Sequence, residues 1–403
     1  MRMWICSPRN ALLTILILGS GLTAEAQMPV SGRLSESEWP LFHKEIARLE
    51  EALSVAPDKP AVMFELARTW ASAKQYPETM NWLRKVAALN VGLDPSREMR
   101  FSALRGTREF EAVLDEVRRA TPPVSHSRLA FRVPEKDLVP ESMAWDPESR
   151  RFYFGSMHKG KILVCTQSGE CKTFAAGLNT VLGLKVHQGR LWALDNSDSD
   201  ARLLEYDVKS GQLIRSYSSG GKGHVFNDLV LASNGAVYLT DTRAGNVIRL
   251  ARGSQRLEVL TPGTRFSAAN GIALSDDENT LYVAGFPDGI FVVNLGAKSV
   301  RTMAHPADLC LATIDGMYFY RGTLVVIQNA LMTPRVARLY LNREGARIDR
   351  FEVLERRNPV FDGITTGALV GGELFFMGNI QDDKIQDPSA RFDPISVLKI
   401  RLR

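Results

Sequence analysis

Between Gln27 and about Ser127, apolar residues recur with the 3.6-residue spacing of amphipathic helices. The spacing predicts four helices, the first capped by Ser37 and ended by a break at Pro57. Their apolar positions are Phe42, Ile46, Leu49 and Leu53 in the first helix; Phe64, Ala67, Trp70 and Ala71 in the second; Trp82, Leu83, Val86 and Ala87 in the third; and Phe110, Val113, Leu114 and Val117 in the fourth.

From Leu129 onward the period changes to two, which is typical of β-strands. One strand, each time preceded by a turn, occurs in six versions: Arg151–Gly155, Arg190–Leu194, Ala236–Thr240, Thr280–Ala284, Thr323–Ile327 and Glu373–Met377. Six copies with further strands between them predict a mainly β fold, a six-bladed β-propeller. The run Leu129–Val133 offers a strand to complete the last blade and close the ring.

The length of 403 residues suits two domains, and the Pro/Ser-containing stretch Thr121–His126 is a natural boundary. We predict a signal peptide over residues 1–26, a helical domain over 27–123 and the propeller over 124–403. Arg2 and Arg9 form the basic part of the signal, and an apolar stretch of twelve residues follows. Cleavage near Ala26 would export the protein to the periplasm or the medium, while an uncleaved signal anchor is the alternative.

Charge and cysteine content narrow the picture further. A formal net charge of +5 with scattered basic residues gives no nucleic-acid-binding footprint, and no later stretch is long enough to span a membrane. Cys165 and Cys171 flank a hairpin turn, so an exported protein would join them in a disulfide; two unpaired thiols are the alternative. We expect Cys310 to be a buried apolar residue.

A polar residue precedes an apolar, strand-like run five times along the propeller. The residues are Glu141, Asn227, Asn270, Asp315 and Asp362. Successive copies are 43 to 47 residues apart, except for a gap of 86 after Glu141 that skips the second blade, where Gly183 stands instead. Equivalent positions of a propeller point at one axis, so these oxygens would converge as the ligands of a hard cation. Because Asx-Gly pairs are common in turns, a turn is the alternative.

These motifs resemble the gluconolactonase, regucalcin (senescence marker protein) and luciferin-regenerating enzyme family. The resemblance rests on Pro140–Asp146, Phe226–Asp228, Asn270-Gly271 and Asp315-Gly316. It implies a six-bladed propeller with one divalent cation, calcium favoured, with zinc, magnesium or manganese as alternatives. One departure is Val225, since sugar-lactone hydrolases of the family often have arginine there.

The resemblance also implies roles for the site residues. Glu141, Asn270 and Asp315 match the family's metal ligands, and Asn227 matches its asparagine that faces metal and substrate. Asp315 matches the residue usually proposed as general base. We add Asp362 as a further substrate-binding position. Two loop histidines, His158 and His224, are candidate proton carriers near neutral pH.

The favoured function is metal-dependent hydrolysis of a small-molecule lactone or related ester. The rival hypothesis is a non-catalytic propeller with a structural cation. Residues Pro60 to Leu93 resemble a single tetratricopeptide repeat, so the helical domain is either a groove for a protein partner or a cap on the propeller.

Overall fold

A computed structural model describes residues 38–55 and 59–402 of the chain. The predicted signal peptide and the predicted cap Ser37 lie outside the described residues. Within those ranges the chain forms four α-helices, three 3₁₀ helices and 24 strands, and none of the helices is long and apolar enough to cross a membrane.

The four predicted helices are confirmed, and their apolar stripes are largely buried. Their bounds are α1 Trp39–Val55, α2 Pro60–Ser72, α3 Tyr76–Ala88 and α4 Arg108–Ala120. Two 3₁₀ helices, Pro95–Arg97 and Met99–Leu104, fill the gap before α4 and are too short to show a helical period. We call residues 39–120 the helical region.

The strands form six antiparallel sheets of four strands each, which confirms the six-bladed propeller. Blade one contains β2 Pro140–Asp146, β3 Arg151–Ser156, β4 Lys161–Cys165 and β5 Cys171–Ala176; blade two, β6 Thr180–His187, β7 Arg190–Asn196, β8 Ala201–Asp207 and β9 Leu213–Ser218; blade three, β10 Phe226–Leu231, β11 Val237–Asp241, β12 Asn246–Leu250 and β13 Leu257–Val259. Blade four contains β14 Ile272–Leu274, β15 Thr280–Gly285, β16 Gly289–Asn294 and β17 Ser299–Thr302; blade five, β18 Ile314–Tyr320, β19 Thr323–Gln328, β20 Arg335–Leu341 and β21 Ile348–Arg356; blade six, β22 Gly367–Val370, β23 Glu373–Met377, β24 Ile395–Arg401 and β1 Arg128–Val133. The first strand of blades one to five, and β22 in blade six, surround the central channel; we call these the inner strands.

Strand β1 closes the ring, as the sequence predicts. It pairs antiparallel with β24, so the outermost strand of blade six comes from the start of the propeller. The predicted Cys165–Cys171 disulfide is also confirmed, because these residues are cross-strand partners of β4 and β5. Cys310 is a buried free thiol, as expected.

The helical region packs on one end of the propeller. Phe286, Cys310, Ala312, Leu331 and Met332 belong to propeller loops and share a hydrophobic core with the buried faces of α2, α3 and α4. These loops lie at the end of the channel where the inner strands begin; we call this end the mouth.

Backbone hydrogen bonds and an ion pair reinforce this contact. The Asp94 N–H donates to the Leu331 carbonyl at 2.7 Å, and the Thr333 N–H donates to the Gly92 carbonyl at 2.7 Å. The Arg357 guanidinium lies 3.7 Å from the Asp94 carboxylate. The helical region is therefore fixed to blade five at the mouth rather than held by a linker alone.

Met332 tests this contact. Met332→Ala should lower the free energy of unfolding by about 2–4 kcal/mol, because it leaves a cavity where helix and loop side chains meet. The measurement is chemical denaturation of the full chain. Met99→Ala is the matched control, because Met99 is 54% exposed, and it should change stability by less than about 0.5 kcal/mol. Equal effects of the two substitutions would contradict the packing described.

Candidate functional site

Four of the predicted ligands occupy one equivalent position in their blades. The pairing of the inner strand with its neighbour shifts between Pro140 and Ser142, between Phe226 and Leu229, and between Ile314 and Met317. Glu141, Asn227 and Asp315 lie within these irregularities. Asn270 takes the same place in blade four, just before β14, where its N–H donates to the Ala284 carbonyl at 3.0 Å.

The two remaining blades differ from the sequence prediction. In blade two the register places Leu182 at the equivalent position and Gly183 one residue later, because Val181 pairs with Asp195 as Phe226 pairs with Asp241. In blade six the position belongs to Thr365, five residues before the end of the inner strand, as Asp315 is in blade five. The six residues, which we call the inner ring, are Glu141, Leu182, Asn227, Asn270, Asp315 and Thr365.

Asp362 is therefore not a sixth copy of the repeated position, which corrects the sequence interpretation. It lies in the loop before β22, and its carboxylate is 3.2 Å from the Lys384 ammonium. Its spacing from Asp315 misleads because this repeat is longer than the others: Thr365, which holds the equivalent position, follows Asp315 by 50 residues. The side chain stays partly exposed at the mouth, so substrate binding by Asp362 remains a prediction.

The glycines after the inner-ring residues do not form turns. Gly271 and Gly316 have backbone conformations outside the left-handed region. A Cβ at Gly271 would overlap the Asp315 carbonyl oxygen, and one at Gly316 would lie 3.0 Å from the Thr365 carbonyl oxygen. Neighbouring inner strands approach so closely that only glycine fits, which excludes the turn interpretation for these two pairs. Gly363 after Asp362 differs, because its φ of +79° lies in the left-handed region that is typical of turns.

Three oxygen atoms of the inner ring are buried without a hydrogen-bond partner: Glu141 Oε2, Asn227 Oδ1 and Asn270 Oδ1. Other atoms of the ring are held firmly. The Asn329 Nδ2 donates to Asp315 Oδ2 at 2.6 Å, and the Asn227 Nδ2 donates to Thr242 Oγ1 at 3.0 Å. Buried polar atoms are nearly always paired, so three unpaired acceptors at equivalent positions indicate a missing electropositive partner.

The raised pKa values of the two ring carboxylates also indicate an electropositive partner. Burial raises the pKa of Glu141 well above its ordinary value, and the carboxylates of Asp315 and Asp228 raise it further. Burial also raises the pKa of Asp315 to about 7, against the opposing hydrogen bonds from Asn329 and Asn270. Carboxylates that repel one another in a buried channel favour binding either protons or a cation.

The residues fit a hard divalent cation. Two carboxylates and two amide carbonyls form an all-oxygen donor set, which is typical of calcium and also of magnesium or manganese. Among residues 38–55 and 59–402, no group of three or more His, Cys, Asp and Glu side chains could hold a metal. The candidate site therefore depends on its two asparagines as much as on its carboxylates.

The two candidate histidines lie on loops at the mouth. His158 follows β3 and is exposed, and its N–H donates to Ser156 Oγ at 3.2 Å. His224 precedes β10, and its Nδ1 hydrogen-bonds the buried carboxylate of Asp241, which raises the pKa of His224. Asp241 thus orients the imidazole of His224. Participation of either histidine in catalysis remains a prediction.

Some residues of the site were not predicted from the sequence. Asp228 and Asn329 contact or influence the ring carboxylates, and Tyr318 and Lys185 lie deeper in the channel. Asp228 could have been found, because it directly follows Asn227. Nothing in the periodicity marks the others, since each occurs in a single blade.

The comparisons with known proteins address the family. Residues 139–317 match the family model described as SMP-30/Gluconolactonase/LRE-like region, and this span contains Glu141, Asn227, Asn270 and Asp315. The propeller thus contains an SMP-30/gluconolactonase/LRE-like region. The resemblance inferred from the motifs is confirmed.

Solved structures show that the fold itself is shared with other proteins. A gluconolactonase from Xanthomonas campestris is 20% identical with a TM-score of 0.50, and the match covers 70% of this chain and 95% of that one. The allergen Mala s 1 from Malassezia sympodialis is 14% identical with a TM-score of 0.55, and the match covers 68% and 96%. At these identities the likeness concerns the fold alone. A comparison with curated proteins finds no match.

Gly271 of this SMP-30/gluconolactonase/LRE-like propeller tests the geometry of the inner ring. Gly271→Ala should lower the free energy of unfolding by about 3 kcal/mol, because the added methyl meets the backbone of the next inner strand. The measurement is chemical denaturation. Gly296→Ala is the control, because its nearest atom would be 3.5 Å away and stability should change by less than about 1 kcal/mol. A Gly271→Ala variant as stable as the control would refute the close approach.

The raised pKa of Asp315 predicts how stability depends on pH. In the presence of a chelator, the unfolded chain loses the Asp315 proton near pH 4, whereas the folded protein keeps it until about pH 7. Stability should therefore fall as pH rises through this window. Relative to Asp315→Asn, which does not titrate, the wild type should lose about 2 kcal/mol between pH 5 and pH 8. Denaturation at both pH values measures this, and parallel stability curves would contradict it.

Proposed function

We propose that the protein is a divalent-cation-dependent hydrolase that opens a lactone or related ester at the mouth of the propeller channel. The three unpaired buried oxygens of the inner ring support this proposal most directly. The family match over residues 139–317 and the fold likeness to a gluconolactonase make hydrolysis of a lactone the favoured reaction.

Glu141, Asn227, Asn270 and Asp315 are the residues that would hold the cation, with calcium favoured by the mixture of carboxylate and amide oxygens. A bound cation of this kind polarises a carbonyl group and stabilises the negative charge that develops on its oxygen. Zinc, magnesium and manganese are alternatives that titration distinguishes.

Asp315 is the proposed general base. Its Oδ2 accepts from Asn329 Nδ2, which fixes the carboxylate that would take a proton from water. Asn329 is itself positioned by a 2.7 Å hydrogen bond to the Ile364 carbonyl, so the orientation of Asp315 depends on the loop before blade six.

The substrate would reach this site from the mouth, beside the helical region. Asn227 lies at the ring, while Asp362, His158 and His224 are on surrounding loops, where they would contact substrate or carry protons. Asp382 also lies at this end, near Gly363, and burial raises its pKa to about 6. Several acidic groups at the mouth favour a neutral, hydroxyl-bearing ester over an anionic one.

The rival function is a binding module with a structural cation, and one observation favours it. Val225 is fully buried in a hydrophobic core, and its N–H donates to Asp241 Oδ1 at 3.0 Å. The arginine that the resemblance leads us to expect there is replaced by a core residue. This weakens the case for a sugar lactone more than the case for hydrolysis.

We also propose that the protein acts after export. The disulfide between Cys165 and Cys171 supports an oxidising compartment, in line with the predicted signal peptide. The helical region would then serve chiefly as a cap at the mouth, since its apolar faces are used in packing on the propeller. Its outer surface remains the candidate for a protein partner.

The hydrolase proposal predicts cation-dependent opening of one or more members of a lactone and aryl-ester panel. Chelator should abolish turnover, and Asp315→Asn should lower kcat/KM at least about 100-fold, because the base is lost. Asp349→Asn is the matched control on the outer strand β21, where the Asp349 side chain is 46% exposed, and it should retain full activity. The measurement is pH-stat titration of released acid.

Two outcomes separate the alternatives. Cation-dependent thermal stabilisation without turnover of any panel member would favour the binding module. Turnover that persists in chelator and in Asp315→Asn would place the chemistry elsewhere.

A further inference from the structure

Two further charged side chains, Asp228 and Lys185, lie beside the two carboxylates of the inner ring. Asp228 adds a third carboxylate that is 4% exposed and raises the pKa of both Glu141 and Asp315. Lys185 adds an ammonium group whose Nζ lies 3.6 Å from Asp228 Oδ1. Fully ionised, the three carboxylates and one ammonium sum to two negative charges.

Lys185 comes from the blade that lacks a polar side chain in the inner ring. In blade two the ring position is Leu182, and Lys185 lies three residues further along the same inner strand. Its partner on the neighbouring strand is Trp192, as Val325 is the partner of Tyr318 in blade five. Lys185 and Tyr318 therefore occupy the same layer of the channel, directly beyond the inner ring.

The Lys185 side chain reaches across this layer. Its Nζ lies 5.4 Å from the centroid of the Tyr318 ring, although blades two and five are opposite each other in the propeller. The phenol is held in turn by donating to the Gly367 carbonyl at 3.1 Å. The other four residues of the layer are small or apolar: Ala144, Val230, Ala273 and Ala368. A single ammonium thus stands below the ring.

We propose that Lys185 is a built-in counter-ion that holds the charge of the candidate cation site at minus two and so matches it to a divalent rather than a trivalent ion. This inference rests on the proposed cation site. The ammonium cancels Asp228 and leaves the charges of Glu141 and Asp315 for the ion. Its repulsion of a bound cation grows in proportion to the charge of that cation, so it disfavours a trivalent ion more.

The experiment compares Ca²⁺ and Tb³⁺ binding to the full chain by isothermal titration calorimetry. Lys185→Met removes the charge and keeps an unbranched side chain of similar length. It should tighten Ca²⁺ binding about tenfold and Tb³⁺ binding about thirtyfold, because the effect scales with ionic charge. Lys185→Arg keeps the charge and is the matched control, with both dissociation constants near wild type.

The outcomes discriminate between the hypotheses. If Lys185→Met leaves both constants unchanged, or weakens both ions equally while the protein stays folded, Lys185 is only a structural partner of Asp228 and the inference fails. Lys185→Gln provides a second neutral variant if the methionine variant does not fold. If the wild type binds neither ion, the proposed cation site is wrong and the inference fails with it. If the wild type binds both ions, but Lys185→Met leaves the ratio of the Ca²⁺ and Tb³⁺ dissociation constants unchanged, only the role of Lys185 is refuted.

Discussion

The close approach of six inner strands around one axis is the constraint on which the site depends. Where those strands meet, a side chain has no room at Gly183, Gly271 or Gly316. Asn270 and Asp315 directly precede two of these glycines, and the Asn270 side chain hydrogen-bonds the Asp315 carboxylate. The low-polarity surroundings strengthen the mutual repulsion of the ring carboxylates, and burial removes the water that would otherwise screen it. Charge matching in the channel thus follows from backbone packing.

The helical region contacts the loops at the mouth that lead into the inner ring. Its contacts are with the loops that connect one blade to the next and with the loop after β19, close to the residues that lead into Asp315. Gln328, at the end of β19, donates to the Ala312 carbonyl at 2.7 Å and accepts from Arg335 Nε at 2.7 Å. A continuous set of contacts therefore connects the helices with the loop before Asp315.

The sequence allowed the repetitive parts of this structure to be predicted. Period-two strands between turns are a local signal, so six blades, the closing strand β1 and the Cys165–Cys171 pair could be inferred. Glu141, Asn227, Asn270 and Asp315 could be selected because they recur. Thr365 could not be selected, since it follows Asp315 by 50 residues and Asp362 lies at the spacing of the other copies. Lys185 and Asn329 contact residues of other blades. Such contacts between distant segments cannot be predicted from the periodicity of the sequence.

Closure of the ring by β1 has a consequence for how the chain folds. Val133 pairs with Ile395, which lies 262 residues later in the chain. The ring of blades therefore cannot close until the last strand has been synthesised. Such long-range pairing is slow, and the unpaired edges of blade six remain available to other chains in the meantime. The helical region is synthesised before the propeller, so its helices would be present before the ring of blades is closed. Loss of strand β24 would therefore separate β1 from β23 and open the whole ring, rather than disturb blade six alone.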